Sequence, residues 1–173
     1  MERDKKVVFS KEEIQSKIEE MGKQITEDYE GESILVVSLL KGSFIFTADL
    51  VRNIEVPVQI EFMTTSSYGD GEESSGKVDI VSDLKTNIEG RHVLIVDDIM
   101  DSGLTMEVIA NHLKQSNPKT VRTCVLLDKP ERRKVDMVPD YSGFVIPDLF
   151  IVGYGLNYGD YYRNIPYIFS FVD

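Results

Sequence analysis

Residues Val93-Leu94-Ile95-Val96-Asp97-Asp98-Ile99-Met100-Asp101-Ser102-Gly103-Leu104-Thr105 decide how this chain is read. Four apolar residues run straight into two adjacent carboxylates; three residues later a third acid opens the sequence Asp-Ser-Gly-Leu-Thr. A short, unbroken apolar run marks a strand buried on both faces of a parallel sheet. Acids at its C-terminal end therefore stand where open α/β sheets place their ligands. Asp101 to Thr105 then forms a tight loop opening into the amphipathic stretch Thr105–Gln115, which predicts a helix. Backbone N–H groups of the loop and helix N-terminus, with the Ser102 and Thr105 hydroxyls, make a cradle for a monophosphate. Gly103 lets the backbone come close to its oxygens. Two carboxylates beside a phosphate repel it unless something stands between them. Ribose hydroxyls can donate to Asp97 and Asp98, and a divalent cation neutralises carboxylates. The segment suits a phosphorylated sugar with a metal.

Outward from this stretch, strands and helices alternate. Ser10 and Glu13 form a capping-box pattern ahead of Ile14, Ile18, Met21 and Ile25 at helical spacing, with Gly31 as the stop. Ile34–Leu40 reads as a buried strand, Ser43–Ile54 as the following helix and Val56–Phe62 as an alternating strand. Thr64–Gly76 is a polar, glycine-rich run that predicts a mobile loop. Lys77–Val81 is its return strand. Val121–Leu127, Phe144–Ile146, Phe150–Val152 and Tyr167–Val172 complete the strands. The pattern predicts one α/β domain with a mostly parallel sheet flanked by helices.

Length and composition narrow the class further. A chain of 173 residues with 42% hydrophobic and 28% charged residues suits one globular domain. The single cysteine, Cys124, lies in an apolar run and reads as a buried hydrophobe in a reducing, cytoplasmic compartment. Val7–Phe9 is too short for a signal peptide, and no apolar run reaches a membrane span. A net charge of −11 argues against nonspecific nucleic-acid binding. Gly153-Tyr154-Gly155 lacks the third glycine of a dinucleotide motif, and no Walker A pattern occurs. His92 and His112 have no neighbours at zinc-ligand spacing.

The thirteen residues from Val93 to Thr105 resemble the phosphoribosyl-diphosphate (PRPP) fingerprint of the type I phosphoribosyltransferases. From Lys41 to Asp173 the chain resembles the hypoxanthine-guanine branch in its compact bacterial form. The resemblance implies a single phosphoribosyltransferase domain over residues 1–173, with a small hood from the N- and C-terminal segments and a lid at about 64–77. It implies purine salvage: transfer of 5-phosphoribose from PRPP to N9 of a 6-oxopurine, with Mg²⁺ required. Asp97 and Asp98 are then the ribose and metal side, and Asp101 the general base or acid at purine N7. Asp101, Ser102, Gly103, Leu104 and Thr105 take the 5′-phosphate. Lys41 and Gly42, in the loop that often carries a non-proline cis peptide, take the diphosphate with Arg163. Ser67 and Tyr68 belong to the lid.

Lys129 is implied to select a 6-oxo group, because an ammonium carries only donors and would meet an adenine amino group donor to donor. Phe150 stacks on the base and Ile151 presents backbone to its edge. In the pattern Gly-Tyr-Gly-Leu-Asp, this chain has Asn157 where the family places a metal-binding aspartate, which predicts a weak second metal position. The resemblance also implies a homodimer or homotetramer, with no membrane partner. Two alternatives stand beside this reading. One is xanthine or pyrimidine specificity on the same frame; the other is a PRPP-sensing regulator that binds nucleic acid.

Overall fold

The computed structural model describes residues 3–67 and 77–172. Strand β1 (Lys5–Phe9) leads into helix α1 (Lys11–Asp28), whose start is the expected capping box: Ser10 Oγ accepts from Glu13 N at 3.1 Å, and Glu13 accepts from Ser10 N at 3.1 Å. Ile14, Ile18, Met21 and Ile25 lie on one face of α1 and are buried. The helix ends before the expected stop, at Asp28, and Gly31 follows with φ +79°.

Strand β2 (Ile34–Leu40), helix α2 (Phe44–Val51) and strand β3 (Val58–Ser67) come next. Helix α2 is shorter than expected, whereas β3 runs five residues beyond Phe62. Thr64–Ser67, read from sequence as loop, are therefore strand: β-branched Thr64 and Thr65 pair with Ser82 and Ile80 of β4 (Val78–Ser82). The remainder of the expected lid, Tyr68–Gly76, lies outside the described residues. Strand β5 (His92–Met100), helix α3 (Leu104–Lys114), strand β6 (Thr120–Asp128), a 3₁₀ turn at Pro130–Arg132, and strands β7 (Tyr141–Val145) and β8 (Ile168–Phe171) complete the chain.

The main sheet has the order β4-β3-β2-β5-β6-β7, parallel throughout except for the antiparallel edge strand β4. Strand β2 is apolar at every position but Ser38, because both of its faces are covered. Ile34 and Val36 of β2 join the α1–α2 core, whereas Leu35, Val37 and Leu39 join the opposite core with Met106, Ile109 and Leu113 of α3. Each such side chain contributes roughly 1.5–3 kcal/mol by leaving water.

One expected strand is absent and one unexpected strand is present. Phe150–Val152 is not a strand; only Val152 forms an isolated bridge, to Phe169. β1 was not foreseen, and it pairs antiparallel with β8, Lys5 opposite Phe171 and Val7 opposite Phe169. Aromatic rings of Tyr158, Tyr162, Phe169 and Phe171 pack together beside that two-stranded sheet. Among the described residues no helix is long and apolar enough to cross a membrane.

Candidate active site

Parallel register brings the separate segments to one edge. Ser38 lies opposite Val96, so Leu39 and Leu40 at the end of β2 stand level with Asp97 and Asp98, and the loop after β2 leaves from the same edge. Met100 lies opposite Asp128, and Asp128 opposite Val145, so Lys129 and the residues after Val145 emerge on the same edge. β5 carries its acids within the strand rather than after it. Asp97 Oδ1 accepts from Asp98 N at 2.8 Å, and Asp98 Oδ1 accepts from Ile99 N at 2.8 Å.

Burial, followed by the neighbouring Asp98 charge, raises the Asp97 carboxyl well above its ordinary value. Burial also raises Asp98, while hydrogen bonds from its neighbours and the Arg163 charge pull it back. The pair is thus a concentrated set of hard oxygens, one of them already within reach of an arginine's field. No group of three or more metal-ligating side chains occurs among the described residues. The acids present are suited to a cation that shares its coordination with a substrate.

Of the residues expected at the diphosphate, Gly42 and Arg163 approach Asp98, and Lys41 directly precedes Gly42. The Leu40–Lys41 peptide is cis. Gly42 packs so tightly that a Cβ would lie 2.2 Å from Asp98 Oδ2. Gly155 approaches from the other side; its φ is +96°, and a Cβ there would lie 2.4 Å from the Gly42 carbonyl. Gly155 in turn holds Arg163 by two hydrogen bonds: Gly155 N donates to the Arg163 carbonyl at 2.9 Å, and the Arg163 guanidinium donates to the Gly155 carbonyl at 2.6 Å. The sequence reading missed Gly155, whose close approach is visible only in three dimensions.

In the loop expected to hold the 5′-phosphate, Gly103 is left-handed with φ +83° and caps α3, which begins at Leu104, one residue earlier than expected. Ser102 Oγ accepts from Leu104 N at 3.2 Å and keeps its own O–H to donate. Thr105 lies in the first turn of α3.

Lys129 is only 6% exposed. Its ammonium lies 3.7 Å from Asp101 Oδ1 and 4.0 Å from Asp148 Oδ1. Asp101 Oδ1 is buried and has no hydrogen-bond partner. Asp148, in the turn after β7, was not foreseen, and it also accepts from Arg132 at 3.4 Å. Two residues further on, Phe150 is 59% exposed and meets the Tyr158 ring edge-on at 5.9 Å. Ile151 is buried. Asn157, exposed, donates through Nδ2 to the Gly159 carbonyl at 2.7 Å. The Ser67 backbone ends β3, and Tyr68 lies outside the described residues.

The two histidines take local partners. His92 Nδ1 lies 2.7 Å from Thr120 Oγ1 and His112 Nε2 2.7 Å from Asp83, both away from this edge. A cavity of about 800 Å³ between Glu27, Glu32 and Pro57 opens at the opposite, N-terminal edge of β2 and β3. It holds none of the candidate residues.

A mostly parallel sheet with paired acids, a left-handed glycine at the start of α3 and a cis-peptide loop at one edge defines a phosphoribosyltransferase domain. The model of the phosphoribosyl transferase domain family matches residues 8–159. The chain is 51% identical to the hypoxanthine-guanine phosphoribosyltransferase of Aquifex aeolicus, over 97% of this chain and 95% of that one. It is 45% identical to the enzyme of that name from Bacillus subtilis, over 94% and 91%. The crystal structure of a hypoxanthine-guanine phosphoribosyltransferase from Bacillus anthracis superimposes with a TM-score of 0.93 at 48% identity, covering 99% of this chain and all of the other. The chain belongs to the hypoxanthine-guanine phosphoribosyltransferase family.

Proposed function

We propose that this protein is a purine-salvage enzyme that transfers 5-phosphoribose from PRPP to N9 of hypoxanthine or guanine, releasing diphosphate. The observation that carries the reading is the convergence on one sheet edge of an anion cradle, a carboxylate pair and a buried lysine. The cradle spans Asp101–Thr105, the carboxylates are Asp97 and Asp98, and the lysine is Lys129 beside Asp101. The C1′–oxygen bond to diphosphate breaks and the C1′–N9 bond forms, while the purine loses a proton.

Ser102, Gly103, Leu104 and Thr105 hold the 5′-phosphate with N–H and O–H donors. Asp97 and Asp98 accept from the ribose hydroxyls and offset the positive charge that grows on the sugar. Lys41, Gly42 and Arg163 hold the diphosphate, the guanidinium matching its oxygens as a fork. Lys129 donates to purine O6, Phe150 stacks on the ring, and Ile151 meets its edge through backbone. Asp101 exchanges a proton at N7, and its unpartnered Oδ1 is suited to accept one. Ser67 and Tyr68 are assigned to the lid, the part such a site needs to keep water from the sugar.

Mg²⁺, when bound, supplies positive charge to the leaving diphosphate. Asp97 and Asp98 are its proposed holders, with Asn157 contributing weakly. The hard oxygens of the pair fit such an ion, which usually takes one or two carboxylates plus substrate oxygens. Two further points belong to this reading. A cytoplasmic setting accords with Cys124, a free, buried thiol whose burial raises its pKa. A homodimer or homotetramer accords with Ile60 and Phe62, exposed apolar side chains on one face of β3.

Turnover with PRPP and Mg²⁺ against a panel of hypoxanthine, guanine, xanthine, adenine and uracil tests the proposal. Activity with hypoxanthine or guanine, and little with adenine, is expected. Turnover confined to xanthine or uracil would overturn the base assignment, and no turnover with any base would overturn the transfer itself.

A further inference from the structure

We propose that Arg133 is a positioning residue that shapes the phosphate loop by turning its N–H groups toward the ligand. The inference rests on the phosphoribosyl-transfer reading above. In the sequence Arg133 belongs to the charged run Asp-Lys-Pro-Glu-Arg-Arg, which has the look of a solvated surface turn. In the structure its side chain is only 12% exposed. Its planar fork serves three segments at once. Nε donates to the Asp101 carbonyl at 3.1 Å, one terminal nitrogen donates to the Met137 carbonyl, and the other pairs with the buried Asp128 carboxylate at the end of β6. A lysine, with one point charge, cannot span three such acceptors.

The consequence for the loop follows from peptide geometry. In a trans peptide the N–H lies opposite the C=O. Arg133 draws the Asp101 carbonyl toward the 133–137 segment, which turns the N–H of Ser102 away from it. The next peptide is held alike, because Lys134 N donates to the Ser102 carbonyl at 2.8 Å. The N–H of Gly103 is therefore turned away from that segment as well. Two successive N–H groups facing away from one wall form an anion nest. The wall itself leaves no slack: a Cβ on Gly103 would lie 2.7 Å from Val135 Cγ2 and 2.9 Å from Arg133 Cδ. Arg133 thus sets the 5′-phosphate cradle from behind without touching the substrate.

The test is the KM split in Arg133→Lys, with Tm measured alongside. Retaining charge opposite Asp128 but losing the fork, this variant should raise KM for PRPP about tenfold, the scale of one charge-assisted hydrogen bond. KM for hypoxanthine should stay within about twofold. A folded variant with wild-type KM for PRPP, or with both constants raised alike, overturns the proposal. Should the lysine variant fail to fold, Asp128→Asn/Arg133→Gln removes both buried charges together and is held to the same split; failure of both to fold would make Arg133 a residue of the fold alone and overturn the proposal. Lack of turnover in wild type would sink the transfer reading and leave this one standing on calorimetry with ribose 5-phosphate. Weaker binding by the variant would then support the strut, and equal binding would reject it.

Discussion

Lys129 and Asp101 face each other across the edge of the sheet, ammonium to carboxylate at 3.7 Å, too far apart for a hydrogen bond. The spacing leaves Asp101 Oδ1 without a partner while the lysine charge sits beside it. A group so placed is suited to proton exchange with a ligand rather than to holding the fold. Asp101→Asn should therefore lower turnover by roughly 10²–10⁴-fold with nucleotide affinity nearly unchanged. Single-turnover kinetics and product binding check it, and an undiminished rate removes Asp101 from proton transfer.

Lys129→Ala should raise KM for hypoxanthine and guanine by about one to two orders of magnitude, as expected when a buried donor to a substrate oxygen is lost. KM for PRPP should change little. Asp148, which shares the ammonium at 4.0 Å, does not replace it, because a carboxylate has no donor for O6. Loss of PRPP affinity instead would make Lys129 a phosphate ligand.

Gly42→Ala tests the contact with Asp98. An added Cβ would stand 2.2 Å from Oδ2, so the carboxylate must swing aside. The cost falls on a site side chain and not on the core. Thermal stability should stay within about 1 kcal/mol of wild type, by the usual scale for changes outside the core, while turnover falls by at least about tenfold. Normal turnover would mean that the placement of Asp98 against this loop is immaterial.

What was legible in the sequence is what local pattern encodes. Val93–Val96 announced a buried strand by unbroken apolarity, and Ser10 with Glu13 fixed the start of α1. Lys41, Arg163 and Lys129 were found only because the resemblance named them, since each sits in an ordinary turn by itself. β1 was hidden because its partner strand, β8, lies at the far end of the chain, where Lys5 meets Phe171. Phe150–Val152 misled because apolarity there serves the hood and the site edge, with only Val152 bridged to Phe169. Arg133 was invisible for another reason: two of its three acceptors are backbone carbonyls, which no side-chain pattern reports.

Asp97 sets a pH dependence with a definite sign. Burial and the Asp98 charge raise its carboxyl in the folded protein. The stabilising effect of its proton is complete below the unfolded value of about 3.9 and is lost as pH rises through the folded one. At neutral pH the charged Asp97 therefore costs stability. Asp97→Asn keeps an oxygen for the Asp98 N–H and removes that cost. Without ligand it should melt higher than wild type at pH 7, by about 2–4 °C for each kcal/mol recovered, and the gap should close toward pH 4. Its turnover should fall. A variant no more stable at pH 7, or a gap that widens in acid, refutes the assignment.

Asn157 is where the chain parts from its family pattern, and the structure gives the substitution a local use. Its Nδ2 donates to the Gly159 carbonyl at 2.7 Å, in a turn where Gly159 has φ +60°. An aspartate cannot make that bond and would set a carboxylate against the carbonyl. Asn157→Asp thus exchanges a turn-stabilising donor, worth about 0.5–1.5 kcal/mol, for an anionic oxygen of the kind Mg²⁺ prefers. The expected result is a lower Mg²⁺ concentration for half-maximal activity in the aspartate variant, by several-fold, with similar turnover at saturating metal. Its melting temperature should drop slightly in metal-free buffer. Activity titrated against Mg²⁺ for both proteins decides the matter. Superimposable curves would show that the Asn157 oxygen serves as well as a carboxylate, and the loss of charge would then have no bearing on the metal.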